Sequence, residues 1–303
     1  MPWNVFKFCT GLKVIGSIMI VVVLAVVGVS YYAVIIFNYA PHLIKGGSEA
    51  AIALIVVILF HVLLLMLLWC YFTVIFTDPG GVPQSWWPSP IEDLENQTTP
   101  LASTVSPPTG LNVPTVAQGP LVRYCRKCSH FKPPRCHHCS VCKRCVLKMD
   151  HHCVWVVNCV GAHNYKFFLL FLLYTFLETT LVTAALLPQF IIFLSDADVE
   201  VVHPGILATI FLAFVLNLAF ALSVLGFLIM HISLVAGNTT TIEAYEKRVS
   251  ARWRYNLGPK KNFEQVFGTW KLYWLLPMYA EEDLRKMTVL HGLDYPLRPD
   301  LDS

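Results

Sequence analysis

The sequence predicts an all-α polytopic membrane protein: four transmembrane helices with a cysteine-rich cytosolic module between the second and third. Three observations predict it. Apolar residues make up 56% of the 303-residue chain and charged residues only 14%, too apolar for an ordinary soluble domain. Four apolar runs are each long enough to cross a hydrocarbon core, which takes about 20 helical residues. Eight of the ten cysteines crowd into positions 125 to 159.

The four runs are Val14–Phe37, Ala51–Phe76, Phe167–Leu194 and Ile206–Ala236, dominated by Leu, Ile, Val, Phe and Ala. The first is too long for a signal-peptide core and no small-residue cleavage pattern follows it, so it is retained as a span. Residues 1–13 then form a cytosolic N-terminus, and 38–50 and 195–205 form short lumenal loops. Residues 77–122 are a cytosolic linker, 123–166 the module, and 237–303 a cytosolic C-terminal region. Orientation follows from Lys and Arg. Two lie in the N-terminal segment, nine between spans two and three, and ten in the tail, so twenty-one of twenty-two fall on one side. The positive-inside rule makes that side cytosolic. The sequence thus predicts a multi-pass protein of the endomembranes (Golgi or endoplasmic reticulum) or plasma membrane. A net charge of +3 suits a membrane surface, and no basic–aromatic interleaving points to nucleic acid.

Punctuation between the spans is clear. Asp78-Pro79-Gly80-Gly81 ends the second, since Pro cannot continue a helix and Gly permits the turn. Residues 82–120 are rich in Pro, Ser, Thr, Gly, Asn and Gln and read as a flexible linker, with Trp86-Trp87 suited to the membrane interface. After span four, Thr240 or Thr241 followed by Glu243 has helix-start chemistry. Asn96 and Asn238 match the glycosylation acceptor pattern, but a cytosolic position predicts that neither is modified.

The cytosol is reducing, so cysteines crowded there point to metal binding or catalysis and not to disulfides. Cys9 and Cys70 stand apart and read as ordinary apolar residues. The others form repeated C-x₂-C units (CRKC, CHHC, CSVC, CKRC) among His137, His138, His151 and His152. Thiolates at this spacing suit tetrahedral zinc. Spacing alone leaves two ligand arrangements open: two Cys₄ sites would use all eight cysteines, and two Cys₃His sites would leave two thiols free. The surroundings of Cys153 favour the second. Asp150 and His151 beside it supply a base and a carboxylate to orient that base, the logic of an activated nucleophile.

The stretch YCRKCSHFKPPRCHHCSVCKRCVLKMDHHCVWVVNCVGAHNYKF, from Tyr124 to Phe167, closely resembles the cysteine-rich domain of the DHHC protein S-acyltransferases. Asp78-Pro79-Gly80 resembles that family's DPG motif and Thr240-Thr241-Ile242-Glu243 its TTxE motif. Tyr255–Gly268 resembles its C-terminal element, with Asn262 at the characteristic Asn. The resemblance implies two structural zinc ions, one held by Cys125, Cys128, His138 and Cys145, the other by Cys139, Cys142, His152 and Cys159. It implies Cys153 as nucleophile, His151 as its base and Asp150 as the orienting acid. Val154 stands where Pro is common in the family, and Cys136 is a spare thiol.

The implied reaction moves a long-chain acyl group, palmitoyl above all, from acyl-CoA to Cys153 and then to cysteines of membrane-associated client proteins with cytosolic thiols. The alternative is a non-catalytic zinc scaffold on a membrane anchor. A transporter, suggested by four spans alone, lacks the charged or Gly/Pro-broken midplane segments. An acyl chain needs an apolar home, so the spans are expected to form a cavity near Cys153, with CoA phosphates near Arg126, Lys132, Arg248 or Lys260. Glu178, about 16 Å into the bilayer at 1.5 Å per residue, is expected either to face that cavity and bear on the chain length accepted or to make a helix–helix hydrogen bond. Asn217 is expected to be a helix-packing contact. Trp155 is assigned to the module core, Asn158 to a local hydrogen bond, Asn262 to the cap of a helix beginning near Phe263, and Thr241 to a contact with the catalytic module. Trp270–Leu276 is too short to span and is expected at the interface.

Overall fold

The computed structural model describes residues 9–88, 123–195, 204–246 and 254–298, with side chains from residue 18 onward. Four helical segments among these are long and apolar enough to cross a membrane: Ile18–Lys45, Ser48–Phe76, Tyr165–Leu194 and Pro204–Ala236. The first comprises α1 (Cys9–Tyr31), a π-helical stretch Tyr32–Tyr39 and α2 (Ala40–Lys45); the others are α3, α4 and α5. All four helical segments outrun the apolar runs read from sequence, the first by most, because a helix continues past the apolar stretch wherever its backbone stays paired. The π stretch widens one turn and brings Asn38 onto α4. There the Asn38 amide donates to the Ala185 carbonyl at 3.1 Å and accepts from Gln189 at 2.7 Å.

The outward faces stay apolar, as at Val21, Leu65 and Leu222, which suits contact with lipid. Helix α4 packs against both α3 and α5 and is the most enclosed of the four. Asn217 makes the expected packing contact, donating to Ser30 Oγ at 2.8 Å.

Between α3 and α4 the module folds as three antiparallel hairpins: β1 (Tyr124–Cys125) with β2 (His130–Phe131), β3 (His137–Cys139) with β4 (Arg144–Val146), and β5 (His151–Cys153) with β6 (Asn158–Val160). Each closes through four turn residues, the last in a left-handed conformation: Ser129, Lys143 and Val157, spaced by 14 residues. The same interval relates Cys125, Cys139 and Cys153, and it lays CHHCSVC (136–142) over DHHCVWV (150–156). This ladder is written in the sequence, although no solenoid-type repeat is.

The Asp-Pro-Gly turn after α3 docks this module. Asp78 accepts from the Gly80 amide and pairs with Arg144 at 2.7 Å, and Gly80, at φ +106°, accepts from the Leu147 amide. A side chain at Gly161 would lie 2.6 Å from the Pro79 carbonyl oxygen, so only glycine fits there. Asn158 makes the expected local bond, accepting from the Cys159 amide at 2.9 Å, and its own amide donates to the carbonyls of Val74, Ile75 and Thr77, capping the orphaned end of α3.

After α5, α6 (Thr241–Glu246) starts on a capping box, with Thr240 and Glu243 each accepting from the other's backbone amide. Helix α7 (Pro259–Phe267) starts earlier than the sequence suggests. Asn262 is therefore inside it, fully buried, and donates to the Ala236 carbonyl and Asn256 instead of capping. A last short helix, α8 (Glu281–Lys286), follows. Trp270, Leu272 and Leu275 are exposed. Asn96, Arg248 and most of the linker lie outside the described residues.

Candidate active site and metal-ligand sets

Two groups of four ligands come together in the module. Cys125, Cys128, His138 and Cys145 form one, and Cys139, Cys142, His152 and Cys159 the other, with all four ligand atoms of each set within 4.8 Å of one another. The His138 Nδ1 lies 3.6 Å from Cys125 Sγ, 3.2 Å from Cys128 Sγ and 4.0 Å from Cys145 Sγ. In the second set Nδ1 of His152 lies 3.5 Å from both Cys142 and Cys159, whose sulfurs are 3.5 Å apart. Zinc with Zn–S near 2.3 Å and Zn–N near 2.0–2.1 Å at tetrahedral angles separates its ligand atoms by about 3.6–3.8 Å. The donor sets and their spacing fit such an ion.

Each set draws a knuckle from one hairpin and a cross-strand pair from the next. His138 pairs with Cys145, and His152 with Cys159, across β3–β4 and β5–β6. The third hairpin has a knuckle of its own, Cys153 with Val156 in place of a second cysteine, and no hairpin follows it among the described residues. Cys153 therefore belongs to neither set. Nor does Cys136, fully buried on the first.

Alternation along β5 puts His151 and Cys153 on one face and His152 on the other. His151 Nδ1 and Asp150 Oδ2 are 2.7 Å apart, which leaves the other ring nitrogen for the Cys153 thiol. Burial disfavours the imidazolium, but the hydrogen bonds to Asp150 and Cys153 outweigh it and hold the His151 pKa up at about 9. Burial alone would raise the Asp150 pKa; His151 and the Thr241 amide overcome it and keep the carboxyl below its ordinary range. Thr241 makes the expected contact in full. Its amide donates to Asp150 Oδ1 at 3.0 Å and its hydroxyl to the Asp150 carbonyl at 2.6 Å.

Three groups around this cluster escape sequence reasoning. His231 of α5 is buried against His151 and Phe168, and its Nδ1 is hydrogen-bonded with the Tyr165 hydroxyl at 3.1 Å. Arg135 forms two 2.7 Å hydrogen bonds to Glu243 and lies between the rings of Tyr255 and Tyr295. Lys166 at the start of α4 donates to the carbonyls of Phe267, Tyr273 and Met278. The signals were present as a lone His in an apolar run, an Arg beside two prolines and a Lys at a helix start, all too common to stand out.

A cavity of about 180 Å³ opens from Cys153 and His151 into the bundle, lined by residues of all four spans, among them Val27, Leu64, Phe171 and Phe227. Trp155 is not in the module core: it is 39% exposed, lines this cavity and meets Phe220 edge to face. The four-residue turn that carries Trp155 faces the bundle, so a large apolar side chain there covers the cavity mouth. Glu178 lines the cavity as expected, and among the described residues its carboxyl makes no helix–helix hydrogen bond. Arg126 and Lys260 are exposed and Lys132 half-buried.

Fold and site together define a polytopic membrane protein with paired Cys₃His sets beside a Cys–His–Asp cluster. A family model described as DHHC palmitoyltransferase matches residues 121–248. Over its whole length the chain is 66% identical to probable protein S-acyltransferase 14 of Arabidopsis thaliana, covering 97% of that protein. It is 58% identical to probable protein S-acyltransferase 13 of the same plant, over 100% of this chain and 98% of the other. Palmitoyltransferase ZDHHC20 of Homo sapiens is 35% identical over 92% of this chain and 77% of its own. The chain belongs to the DHHC palmitoyltransferase family. It is accordingly a membrane-embedded acyltransferase of protein cysteines, working with acyl-CoA and protein substrates.

Proposed function

We propose that Cys153 carries the acyl group, with His151 as its base and Asp150 orienting the imidazole. The single observation behind this assignment is the position of Cys153 sulfur: outside both ligand sets, against His151, at the mouth of an apolar cavity in the bundle. His151 takes the thiol proton, and the Cys153 thiolate attacks the thioester carbonyl of a long-chain acyl-CoA such as palmitoyl-CoA. The carbon–sulfur bond to CoA breaks and His151 returns the proton to the departing thiolate. A client cysteine then gives its proton to His151 and attacks the acyl-enzyme; the carbon–sulfur bond to Cys153 breaks, His151 returns the proton to the Cys153 sulfur, and the client leaves with the chain. Thioester replaces thioester, so orientation and proton transfer are what the site supplies; a positioned base contributes about 10²–10⁴-fold.

Two zinc ions would be held by the two Cys₃His sets. Both sets use four protein ligands and leave no open position, so the metals would hold the hairpins and take no part in the chemistry. The chain lies in the cavity, and Glu178 at its deeper end bears on the length accepted. The catalytic face is cytosolic, in keeping with the Lys and Arg distribution, and the clients are membrane-associated proteins with cysteines near the bilayer surface.

The test is incubation of the purified protein with a labelled acyl-CoA. Hydroxylamine-labile label on the wild type but not on Cys153→Ser, at equal zinc content, is the expected result. Zinc loss in that variant would make Cys153 a ligand and end the reading.

A further inference from the structure

One group in the cavity has no part in thioester exchange. Glu178 lines the same cavity as Cys153 and His151 and is 5% exposed, and neither carboxyl oxygen has a hydrogen-bond partner among the described residues. Three other polar groups of the lining spend their donors elsewhere. Asn217 donates to Ser30 Oγ and the Ala213 carbonyl, and Thr175 and Thr179 donate to carbonyls of their own helix. Leaving a buried polar group without a partner is costly. A partner brought by the ligand removes that cost. Most of the surrounding lining is Phe, Leu and Val, so that ligand is an apolar chain with one polar group along it.

The position of that group follows from the helix. Phe168, whose ring packs 5.2 Å from that of His151, marks the level of the nucleophile. Glu178 lies ten residues further along α4. At about 1.5 Å per residue this is roughly 15 Å, the reach of about twelve carbons of extended chain.

We propose that the cavity holds a subsite for oxygenated chains: it takes long-chain acyl thioesters whose hydroxyl, on about the twelfth carbon, donates to the Glu178 carboxyl. This rests on the acyl-transfer reading above and names its substrate class. A hydroxyl donates to a carboxyl oxygen whether or not the carboxyl is ionised. A site built to hydrogen-bond a substrate hydroxyl disfavours the analogue that lacks it, because its own polar group is then stranded.

The experiment follows acyl-enzyme formation on the full-length chain with three thioesters: stearoyl-CoA, the same chain hydroxylated on the twelfth carbon, and the same chain hydroxylated next to the thioester. The distal hydroxyl is expected to raise kcat/KM at least about tenfold over the plain chain, and the proximal hydroxyl to give no gain. Glu178→Leu should abolish the distal advantage and speed the plain chain, while Glu178→Gln, which keeps an acceptor oxygen, retains most of it. Equal rates for plain and distal chains on the wild type would overturn the proposal, as would the same ratio in Glu178→Leu. Absence of label from all three chains would instead overturn acyl transfer itself, and the subsite with it.

Discussion

His137 and His151 occupy the same place in successive hairpins, 14 residues apart, and their proton affinities diverge. Burial, aided by Arg123, pushes His137 down to about 4. His151, at least as enclosed, stands at about 9. The residue before each, Cys136 in one hairpin and the Asp150 carboxylate in the other, makes much of the difference, and the Cys153 bond to His151 adds to it. One backbone frame thus yields an inert imidazole and a strong proton acceptor.

Asp150→Asn should therefore slow acyl-enzyme formation by about 10²–10⁴-fold. The pH dependence should change with it. In the wild type His151 keeps its proton up to about pH 9, so the limb governed by imidazolium loss lies near there. Without the carboxylate that limb should fall toward or below the ordinary histidine range near 6.5. Single-turnover labelling across pH reads both effects, and an unmoved limb would contradict the assignment of Asp150.

The same shift carries a stability signature. The folded-state pKa of His151 lies above its ordinary value, so its contribution is complete below about pH 6.5 and fades as pH rises through about 9. Wild-type thermal stability in detergent should decline across that window more steeply than that of Asp150→Asn.

Arg135 and Glu243 are both buried, and the Glu243 carboxyl is held low because Arg135 outweighs the effect of its burial. Arg135→Ala leaves that charge uncompensated and should cost about 3–5 kcal/mol. Arg135→Lys should recover little, since an ammonium cannot reproduce the two parallel bonds. With the Glu243 pKa lowered, the pair's contribution is present above the ordinary carboxylate range and disappears as pH falls through the folded value. Unfolding measured at neutral and acidic pH distinguishes the variants.

Metal content separates the thiols. Cys128→Ser or Cys142→Ser should each lose bound zinc and soften the module, because the middle hairpin contributes to both sets. Cys136→Ser should keep the full content, its sulfur belonging to neither. Elemental analysis of the purified variants decides, and zinc loss in Cys136→Ser would count against the ligand assignment.

Much of this was legible in the sequence, for physical reasons. A span needs an uninterrupted apolar run and a zinc set needs fixed cysteine spacing, so both are written locally. Trp155 and Asn262 depart from the sequence expectation because their partners lie far away in the chain: Trp155 faces the bundle and Asn262 reaches the end of α5, while Asn158 makes its local bond and caps α3 as well. Arg135, Lys166 and His231 were passed over for the same reason, their contacts lying 66 or more residues away.

The hairpin ladder has one further consequence. Each ligand set is shared between adjoining hairpins, so the series can close a set only where a successor exists. The third hairpin has none, and Val156 stands where a companion thiol would be. On the proposed reading the Cys153 sulfur is thus an unmatched end: shaped by the geometry of the ligand sets, anchored by the neighbouring set through His152, and kept available because the pattern stops one step short. Placing cysteine at 156 would give that sulfur a competitor for its chemistry.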